Sequence, residues 1–186
     1  MRIIAGTYRS RQIQTVPGND VRPTTDMLRE TLFNVVSSAR PIEDTVWLDV
    51  YAGSGAVGIE ALSRGARQVY FIESSRKAVT VIRKNLAALK IESGFEVLER
   101  DADAALRRLD SQAIACDVCF LDPPYALEEE YEDTLGFLSQ SQMIGPQSLV
   151  IAEHSKRHDP GDQVGALVRF RNLKQGDAVL SFYRKQ

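Results

Sequence analysis

The residues whose types and spacing most clearly suggest catalysis lie in the segment Val118–Tyr125. An apolar run ends there in Asp122, Pro123, Pro124 and Tyr125. A carboxylate and a backbone carbonyl can both accept hydrogen bonds from an aromatic amino group, which aims the nitrogen lone pair at an electrophile. Consecutive prolines stiffen the backbone and remove N–H groups that would compete for the carbonyls, and the tyrosine ring offers a stacking surface for an unpaired base. The segment therefore predicts a catalytic site that activates an amino group.

A second cluster follows the first predicted strand, residues 46–50. Gly53, Gly55 and Gly58 permit a tight turn and let backbone amides approach a ligand closely. Glu73 lies 20 residues after Gly53, a spacing suited to a carboxylate that accepts ribose hydroxyls. The glycine spacing alone also fits a dinucleotide, so an NAD-dependent oxidoreductase is one alternative.

Asp49 favours a different cofactor, because it lies where a dinucleotide would place its pyrophosphate. That contact would be repulsive by about 1 kcal/mol or more. S-adenosylmethionine has no phosphate, and its ammonium and sulfonium groups both favour a nearby carboxylate. Asp101 follows the third predicted strand and can accept from an adenine amino group, cap the next helix, or do both. The candidate cofactor-binding residues are Asp49, Tyr51, Ala52, Gly53, Ser54, Gly55, Glu73, Asp101 and Ala102.

The elements that must position these residues alternate between strands and helices, which predicts an α/β fold with a mostly parallel sheet. We expect strands at 46–50, 68–72, 95–98, 117–121, 148–152, 167–173 and 178–183, the last two forming an antiparallel C-terminal hairpin. We expect helices at about 56–64, 75–90, 102–109 and 129–140, and an earlier one that opens near Arg22–Asp26 and ends before Pro41. Ligands bind at the carboxyl ends of such strands. The interpretation therefore requires Asp49 and Asp122 to share one sheet edge.

The charge is divided unevenly along the 186 residues. Residues 1–40 carry six arginines against three acidic residues, net +3, whereas the remainder is net −5. An arginine-rich head on an acidic body indicates a localised contact with a polyanion. We therefore divide the chain into an N-terminal arm and helix, residues 1–40, with an expected polyanion contact, and a domain that carries the predicted cofactor and amino-group sites, residues 41–186.

Other sequence features exclude further classes of site. No apolar run approaches the roughly 20 residues of a membrane span, and with two cysteines and no export signal we expect a cytoplasmic protein. Cys116 and Cys119 have a metal-like spacing, but residues three apart in a strand should face opposite sides of the sheet. We therefore expect buried thiols and no metal.

Asp122–Tyr125 resembles the (N/D/S)-P-P-(Y/F/W) motif of amino-group methyltransferases. More closely, the chain resembles the RsmD family, bacterial methyltransferases that modify guanine N2 in small-subunit ribosomal RNA. The likeness runs nearly end to end and rests on residues 2–11, 22–26, 29–34, 48–55, 58–66 and 120–125. It implies a Rossmann-like S-adenosylmethionine-dependent fold with a small N-terminal extension. The chain departs from the family at Tyr51, where phenylalanine is usual, and we expect little effect from the added hydroxyl.

The resemblance implies cofactor contacts in the glycine loop and base handling at Asp122–Tyr125. It also implies RNA contacts in the basic head, at Arg9, Arg11, Arg22 and Arg29. The family acts on assembled or partly assembled subunits, so the expected partner is 16S rRNA within a small ribosomal subunit, with no membrane and with the enzyme a monomer. Two further alternatives stay open: an amino-group methyltransferase of another RNA or of DNA adenine, and a non-catalytic RNA-binding protein on the same scaffold.

Overall fold

A computed structural model describes residues 1–17, 26–124 and 127–186 of the chain. In the order of the chain, its elements are α1 Asp26–Ala39, β1 Val46–Val50, α2 Ala56–Ser63, β2 Gln68–Glu73, α3 Arg76–Ala88, β3 Phe95–Glu99, α4 Ala102–Ser111, β4 Cys116–Leu121, α5 Glu128–Gln140, β5 Ile144–Ser155, β6 Gln163–Val164, β7 Leu167–Gln175 and β8 Ala178–Lys185. The residues expected to open α1, Arg22–Thr25, lie outside the described residues.

These strands form one sheet in the order β3-β2-β1-β4-β5-β8-β7-β6. Strands β1 to β5 pair in parallel, whereas β8, β7 and β6 join by antiparallel pairing. The predicted α/β class, with its mostly parallel sheet and antiparallel C-terminal hairpin, is confirmed. The sequence analysis missed the two-residue β6 and the first four residues of β5, because neither carries an apolar alternation.

Helices cover both faces of the sheet, and alternate strand residues feed two separate hydrophobic clusters. On the first face, Trp47, Phe120 and Phe182 join the apolar stripes of α1, α2 and α3. On the second face, Leu48 and Leu121 join α4 and α5. Strand residues of one parity therefore share a face across the sheet.

The two cysteines are an exception to the expected alternation. Both thiols are buried in the second cluster, on one face. Cys116 is the first residue of β4, and the pairing of β4 with β5 shifts register directly after it, with the extra residues on β5. Burial raises the pKa of Cys116 to about 12, so its thiol stays protonated. Among the described residues, no group of His, Cys, Asp or Glu is arranged to hold a metal.

The N-terminal arm, residues 1–17, is a loop whose two limbs pair antiparallel at Arg2 and Gln12. Backbone hydrogen bonds from Ile3 to Arg11 and from Ile13 to Met1 flank this bridge. The carboxylate of Glu60, on α2, accepts hydrogen bonds from the N–H groups of Ile4 (2.8 Å) and Ala5 (3.0 Å). The side chains of Ile3 and Ile13 lie in the first core cluster, so the arm packs on the face that α2 covers.

Asn85, which is buried on α3, bonds the arm to the loop after β1. Its Oδ1 accepts from Gln14 N–H at 2.7 Å, and its Nδ2 donates to the carbonyls of Gln14 (3.0 Å) and Ser54 (2.9 Å). The arm therefore shares one core and one hydrogen-bond network with the rest of the chain, and the boundary at residue 40 stays a prediction.

None of the described helices combines the length and the apolar character that a membrane crossing requires.

Candidate active site

The carboxyl ends of β1 and β4 lie side by side at one edge of the sheet. The two strands pair in parallel with Asp49 opposite Phe120 and Val50 opposite Leu121. The N–H of Asp122 donates to the carbonyl of Val50 at 3.3 Å. From β1 the chain winds outward through β2 and β3 and then crosses back to β4, so this edge is the switch point of the sheet. The required juxtaposition of Asp49 and Asp122 is therefore present.

Asp49 is a buried carboxylate at this switch point. Its Oδ2 accepts a hydrogen bond from the N–H of Gly58 at 2.8 Å. Burial raises the pKa of Asp49 to about 7, the Gly58 hydrogen bond opposes that rise, and the charge of Glu73 adds to it. A cationic ligand would offset the cost of ionising this group, whereas a phosphate would increase it.

The glycine loop between β1 and α2 turns through several left-handed residues. Tyr51, Gly53 and Gly55 have φ values of 62°, 55° and 78°. The carboxylate of Glu73 accepts from the N–H of Gly53 (2.9 Å) and of Ser75 (2.7 Å), so the end of β2 holds the loop in place. A carboxylate has about four acceptor positions, so Glu73 keeps the capacity to accept ribose hydroxyls.

Tyr51 has a larger structural role than the sequence suggested. Its hydroxyl lies 2.6 Å from a carboxylate oxygen of Glu130 and 2.8 Å from the hydroxyl of Thr134, both on α5. Burial, followed by the hydrogen bond to Glu130, raises the pKa of Tyr51. The hydroxyl that phenylalanine lacks thus ties the glycine loop to the helix that follows the catalytic segment.

Asp101 occupies the N-cap position of α4 in an extended conformation, but its side chain makes no capping hydrogen bond. It is exposed and, with the buried Ala102, lines a groove of about 680 Å³ between α4 and α5. The capping alternative is therefore absent in this structure, and Asp101 shares the groove with Glu130 and Thr134, the partners of the Tyr51 hydroxyl.

The predicted catalytic segment leaves β4 with Asp122 partly buried, Pro123 buried and Pro124 exposed. Desolvation, together with the charges of Glu153 and Asp49, raises the pKa of Asp122 well above its ordinary range. Tyr125 lies outside the described residues, so its stacking role stays a prediction.

Glu153 and Tyr131 also reach this segment, and the sequence analysis missed both. Glu153, on β5, is buried and lies one step beyond the pair formed by Leu121 and Ala152, level with Asp122. The hydroxyl of Tyr131 lies 3.0 Å from the carbonyl of Glu153 and 3.3 Å from that of Pro123. An acidic residue inside an otherwise apolar strand was the signal that could have revealed Glu153, whereas nothing distinguished Tyr131.

The predicted RNA-contacting arginines do not form a single group. Arg9 and Arg11 are exposed on the arm, and Arg11 donates to the carbonyl of Ala88 at 3.2 Å. Arg22 lies outside the described residues.

The expected RNA contact at Arg29 is wrong, because its side chain is 0% exposed. The guanidinium pairs with Asp26 at 3.0 Å, lies 3.9 Å from Glu60 and donates to the carbonyl of Arg2. Burial lowers the pKa of Arg29, while the charges of Glu60 and Asp26 oppose that change. Arg29 is thus a buried partner of α2 and of the arm.

Solved structures share this architecture. The chain superposes on YhhF from Escherichia coli with a TM-score of 0.83 and 30% identity, covering 100% of this chain and 98% of that one. It also shares its fold with SMU.776, which was crystallised with SAH, at a TM-score of 0.63 and 11% identity, covering 85% of this chain and 48% of that one. The fold and the switch-point site define a methyltransferase of the α/β class.

Sequence comparison identifies the family within that class. The family model described as Conserved hypothetical protein 95 matches residues 1–184. Ribosomal RNA small subunit methyltransferase D of Haemophilus influenzae is 36% identical over 157 residues, covering 84% of this chain and 79% of that protein. YlbH of Bacillus subtilis is 33% identical over 186 residues, covering 100% of both. The chain belongs to this family, the RsmD family.

Proposed function

We propose that this protein transfers a methyl group from S-adenosylmethionine to the exocyclic N2 of a guanine in 16S ribosomal RNA, within an assembled or partly assembled small subunit. The observation that carries the proposal is the pair of carboxylates, Asp49 and Asp122, at adjacent strand ends. The first suits a cationic methyl donor and the second suits an amino group. The names of relatives such as ribosomal RNA small subunit methyltransferase D support the choice of RNA.

The residues around the glycine loop fit S-adenosylmethionine better than a dinucleotide. Asp49 is buried beside a second carboxylate, Glu73, whose charge already raises its pKa. A pyrophosphate there would add negative charge to a site that is costly to ionise, whereas an ammonium or sulfonium relieves that cost. Asp49 would attract the positively charged end of the cofactor, Glu73 would accept from its ribose, and Asp101 would accept from its adenine. When bound, the cofactor supplies a methyl group on a positively charged sulfur.

Asp122 and the carbonyl of Pro123 would hold the guanine amino group by accepting its two hydrogens. This arrangement directs the nitrogen lone pair at the methyl carbon. The cofactor would give up its methyl group and keep the electrons of its C–S bond, and Asp122 would accept the proton that the amino nitrogen loses when the N–C bond is made. The like charge of Glu153 makes Asp122 a better proton acceptor. Tyr131 contacts the carbonyls of Pro123 and Glu153 and so fixes both strand ends.

The direct test is methyl transfer from labelled S-adenosylmethionine to small subunits that lack the modification, followed by mass spectrometry of the digested nucleosides. We expect N2-methylguanosine from the wild type and none from Asp122→Ala, which should still fold and bind the cofactor. Methyladenosine, or a product found only with DNA, would point instead to the alternative substrates. No methylated product with any substrate would refute catalysis and leave a binding protein.

A second test addresses the arm. Arg9 and Arg11 are exposed there, and phosphate contacts by arginine contribute salt-dependent affinity. We expect the double change of Arg9 and Arg11 to Ala to raise KM for the subunit several-fold and to leave cofactor affinity unchanged. An unchanged KM would argue against an RNA contact by the arm.

Titration with NADH provides the control for the cofactor. An oxidoreductase would bind NADH, whereas the charge arrangement at Asp49 and Glu73 predicts binding of S-adenosylmethionine only.

A further inference from the structure

The C-terminal hairpin is basic, although it belongs to residues 41–186, which are acidic overall. Residues 167–186, which include β7 and β8, carry five basic residues against one acidic residue, Asp177, for a net charge of +4. The whole chain is net −2, so the first 166 residues are net −6. A concentrated positive charge on an acidic protein indicates a local anionic partner.

Some basic residues of the hairpin are already paired within the protein, and others are not. Arg169 pairs with Asp159 and Asp162, and Lys185 donates to the carbonyl of Ser141 at 2.7 Å. Arg171 and Arg184 are exposed, and within the described part of the chain neither forms an ion pair. These two guanidinium groups therefore carry charge that the protein itself does not neutralise.

Phe170 lies between these arginines and is 45% exposed. Its ring centroid is 4.7 Å from the guanidinium carbon of Arg184 and 6.3 Å from the ring of Phe182. The pairing of β7 with β8 shifts register between Arg169 and Arg171, so Phe170 is the bulged residue. Bulges redirect side chains, and this one presents an aromatic ring at the surface between two arginines.

This patch, Phe170, Arg171 and Arg184, lies on the first face of the sheet. Phe182, which contacts Phe170, belongs to the same core cluster as α1 and as Ile3 of the arm. The arm docks on α2 and α3 over the β1–β3 half of the sheet, whereas the hairpin extends the other half beyond β5. The two basic regions therefore flank α1 on one side of the molecule.

The patch is also close to the proposed catalytic segment. Arg171 pairs in register with Phe182, Phe182 with Ile151, and Ile151 with Phe120 of β4. Arg171 therefore lies three strands from β4, about 14 Å at the usual strand spacing. An RNA strand that presents a base to Asp122 would therefore need only a short run of flanking nucleotides to reach the patch.

We propose that Phe170, Arg171 and Arg184 form a second RNA-binding surface, at which an unpaired base of the substrate stacks on Phe170 while the two arginines contact phosphates. The inference rests on the proposed function for the identity of the nucleic acid. Aromatic rings between arginines bind single-stranded RNA by stacking and by charge. Arg171 lies on the part of β7 that β6 leaves unpaired, where an arginine can also serve only to prevent pairing with another copy, and the experiment separates these roles.

The test compares three variants with the wild type: Phe170→Ala, the double change of Arg171 and Arg184 to Ala, and Arg107→Ala. Arg107 is the matched control, because its guanidinium carbon likewise lies over a phenylalanine ring, Phe137, at 5.3 Å, but on α4 and thus on the opposite face. Binding to unmodified small subunits is measured at several salt concentrations, together with KM, kcat and cofactor affinity.

We expect Phe170→Ala and the double variant each to weaken subunit binding at least fivefold. The double variant should also flatten the dependence of log affinity on log salt by about 1 to 1.5, as for two lost phosphate contacts on single-stranded RNA. KM should rise, while cofactor affinity of the two patch variants stays at the wild-type value and Arg107→Ala binds the subunit like the wild type.

Subunit binding that is unchanged in both patch variants would overturn the inference. Self-association of the double variant with unchanged subunit binding would in addition assign Arg171 to edge protection. If Arg107→Ala weakens subunit binding as much as the patch variants do, the effect comes from overall positive charge and not from the patch. That result would also overturn the inference. Because binding is measured without transfer, these results are independent of whether the wild type yields N2-methylguanosine.

Discussion

Cofactor affinity should depend on pH through Asp49, because this carboxylate must be ionised to attract a cation. Burial raises its pKa to about 7. Below that pH the buried group holds a proton, and a cationic ligand can bind well only after the proton leaves. The apparent Kd for S-adenosylmethionine is therefore expected to rise as the pH falls.

The size of the effect follows from that pKa. For one titrating group at about pH 7, the apparent Kd is about twofold above its high-pH limit at pH 7 and roughly tenfold above it at pH 6. Calorimetry in two buffers of different ionisation enthalpy should detect release of nearly one proton per cofactor at pH 6 and about half a proton at pH 7. The useful range ends near pH 7.5, because an α-amino group loses its own proton at about 7.7–8.0.

Asp49→Asn is the control, since the amide oxygen can still accept from Gly58 while the titrating charge is gone. This variant should bind the cofactor weakly and with no proton release. Wild-type affinity that is constant from pH 5.5 to 7.5, without proton release at pH 6, would refute the assignment of Asp49 as the cation-binding group.

The same pKa predicts a change in stability. The folded-state pKa of about 7 lies above the ordinary 3.8, so Asp49 lowers the free energy of unfolding progressively as the pH rises from about 4 to 7. Three pKa units correspond to an upper limit of roughly 4 kcal/mol. Asp49→Asn should therefore be more stable than the wild type at pH 8 and equal to it near pH 4, which denaturant titrations at the two pH values would measure. Equal stability at pH 8 would contradict the burial argument.

Three further changes test the surroundings of the site. Glu153→Gln removes a like charge beside Asp122, so the acidic limb of the kcat–pH profile should move to lower pH; a limb that stays in place would exclude the electrostatic role. Gly58→Ala would force a Cβ into the ring of Phe71, whereas Gly136→Ala meets nothing within 4 Å. We expect the first to cost about 1–3 kcal/mol and to weaken cofactor binding, and the second to be neutral or stabilising, as denaturant midpoints would show. Arg29→Met should destabilise by about 3 kcal/mol, because it removes a buried guanidinium that pairs with Asp26 and donates to the carbonyl of Arg2. Normal stability with impaired RNA binding would instead restore Arg29 to the RNA surface.

The positions of the residues at the strand ends could be predicted, because they follow from strand geometry alone. Asp49 and Asp122 each end an apolar run, and the carboxyl ends of parallel strands meet at one edge of the sheet. The glycine loop could likewise be predicted from its own residues, because the turn needs left-handed backbone at Gly53 and Gly55. Strand and helix order followed from the alternation of apolar segments.

Residues whose environment depends on distant elements could not be predicted in the same way. Arg29 looked like other basic residues of the head, and only the docking of α1 against α2 buries it. Glu153 faces Asp122 because β5 pairs with β4, a neighbour relation that its own segment does not encode. The hydroxyl of Tyr51 contacts Glu130 and Thr134 on α5, which lie 79 and 83 residues further along the chain.

The hydrogen bonds of Glu60 and Asn85 to the arm have a consequence for biosynthesis. The arm is translated first, but its anchoring groups lie 56 and 71 residues later in the chain. At about 5–20 residues per second, roughly 4 to 14 seconds pass before Asn85 has been added. Throughout that interval the arm lacks its complete docking site, so Ile3 and Ile13 cannot yet make their native core contacts.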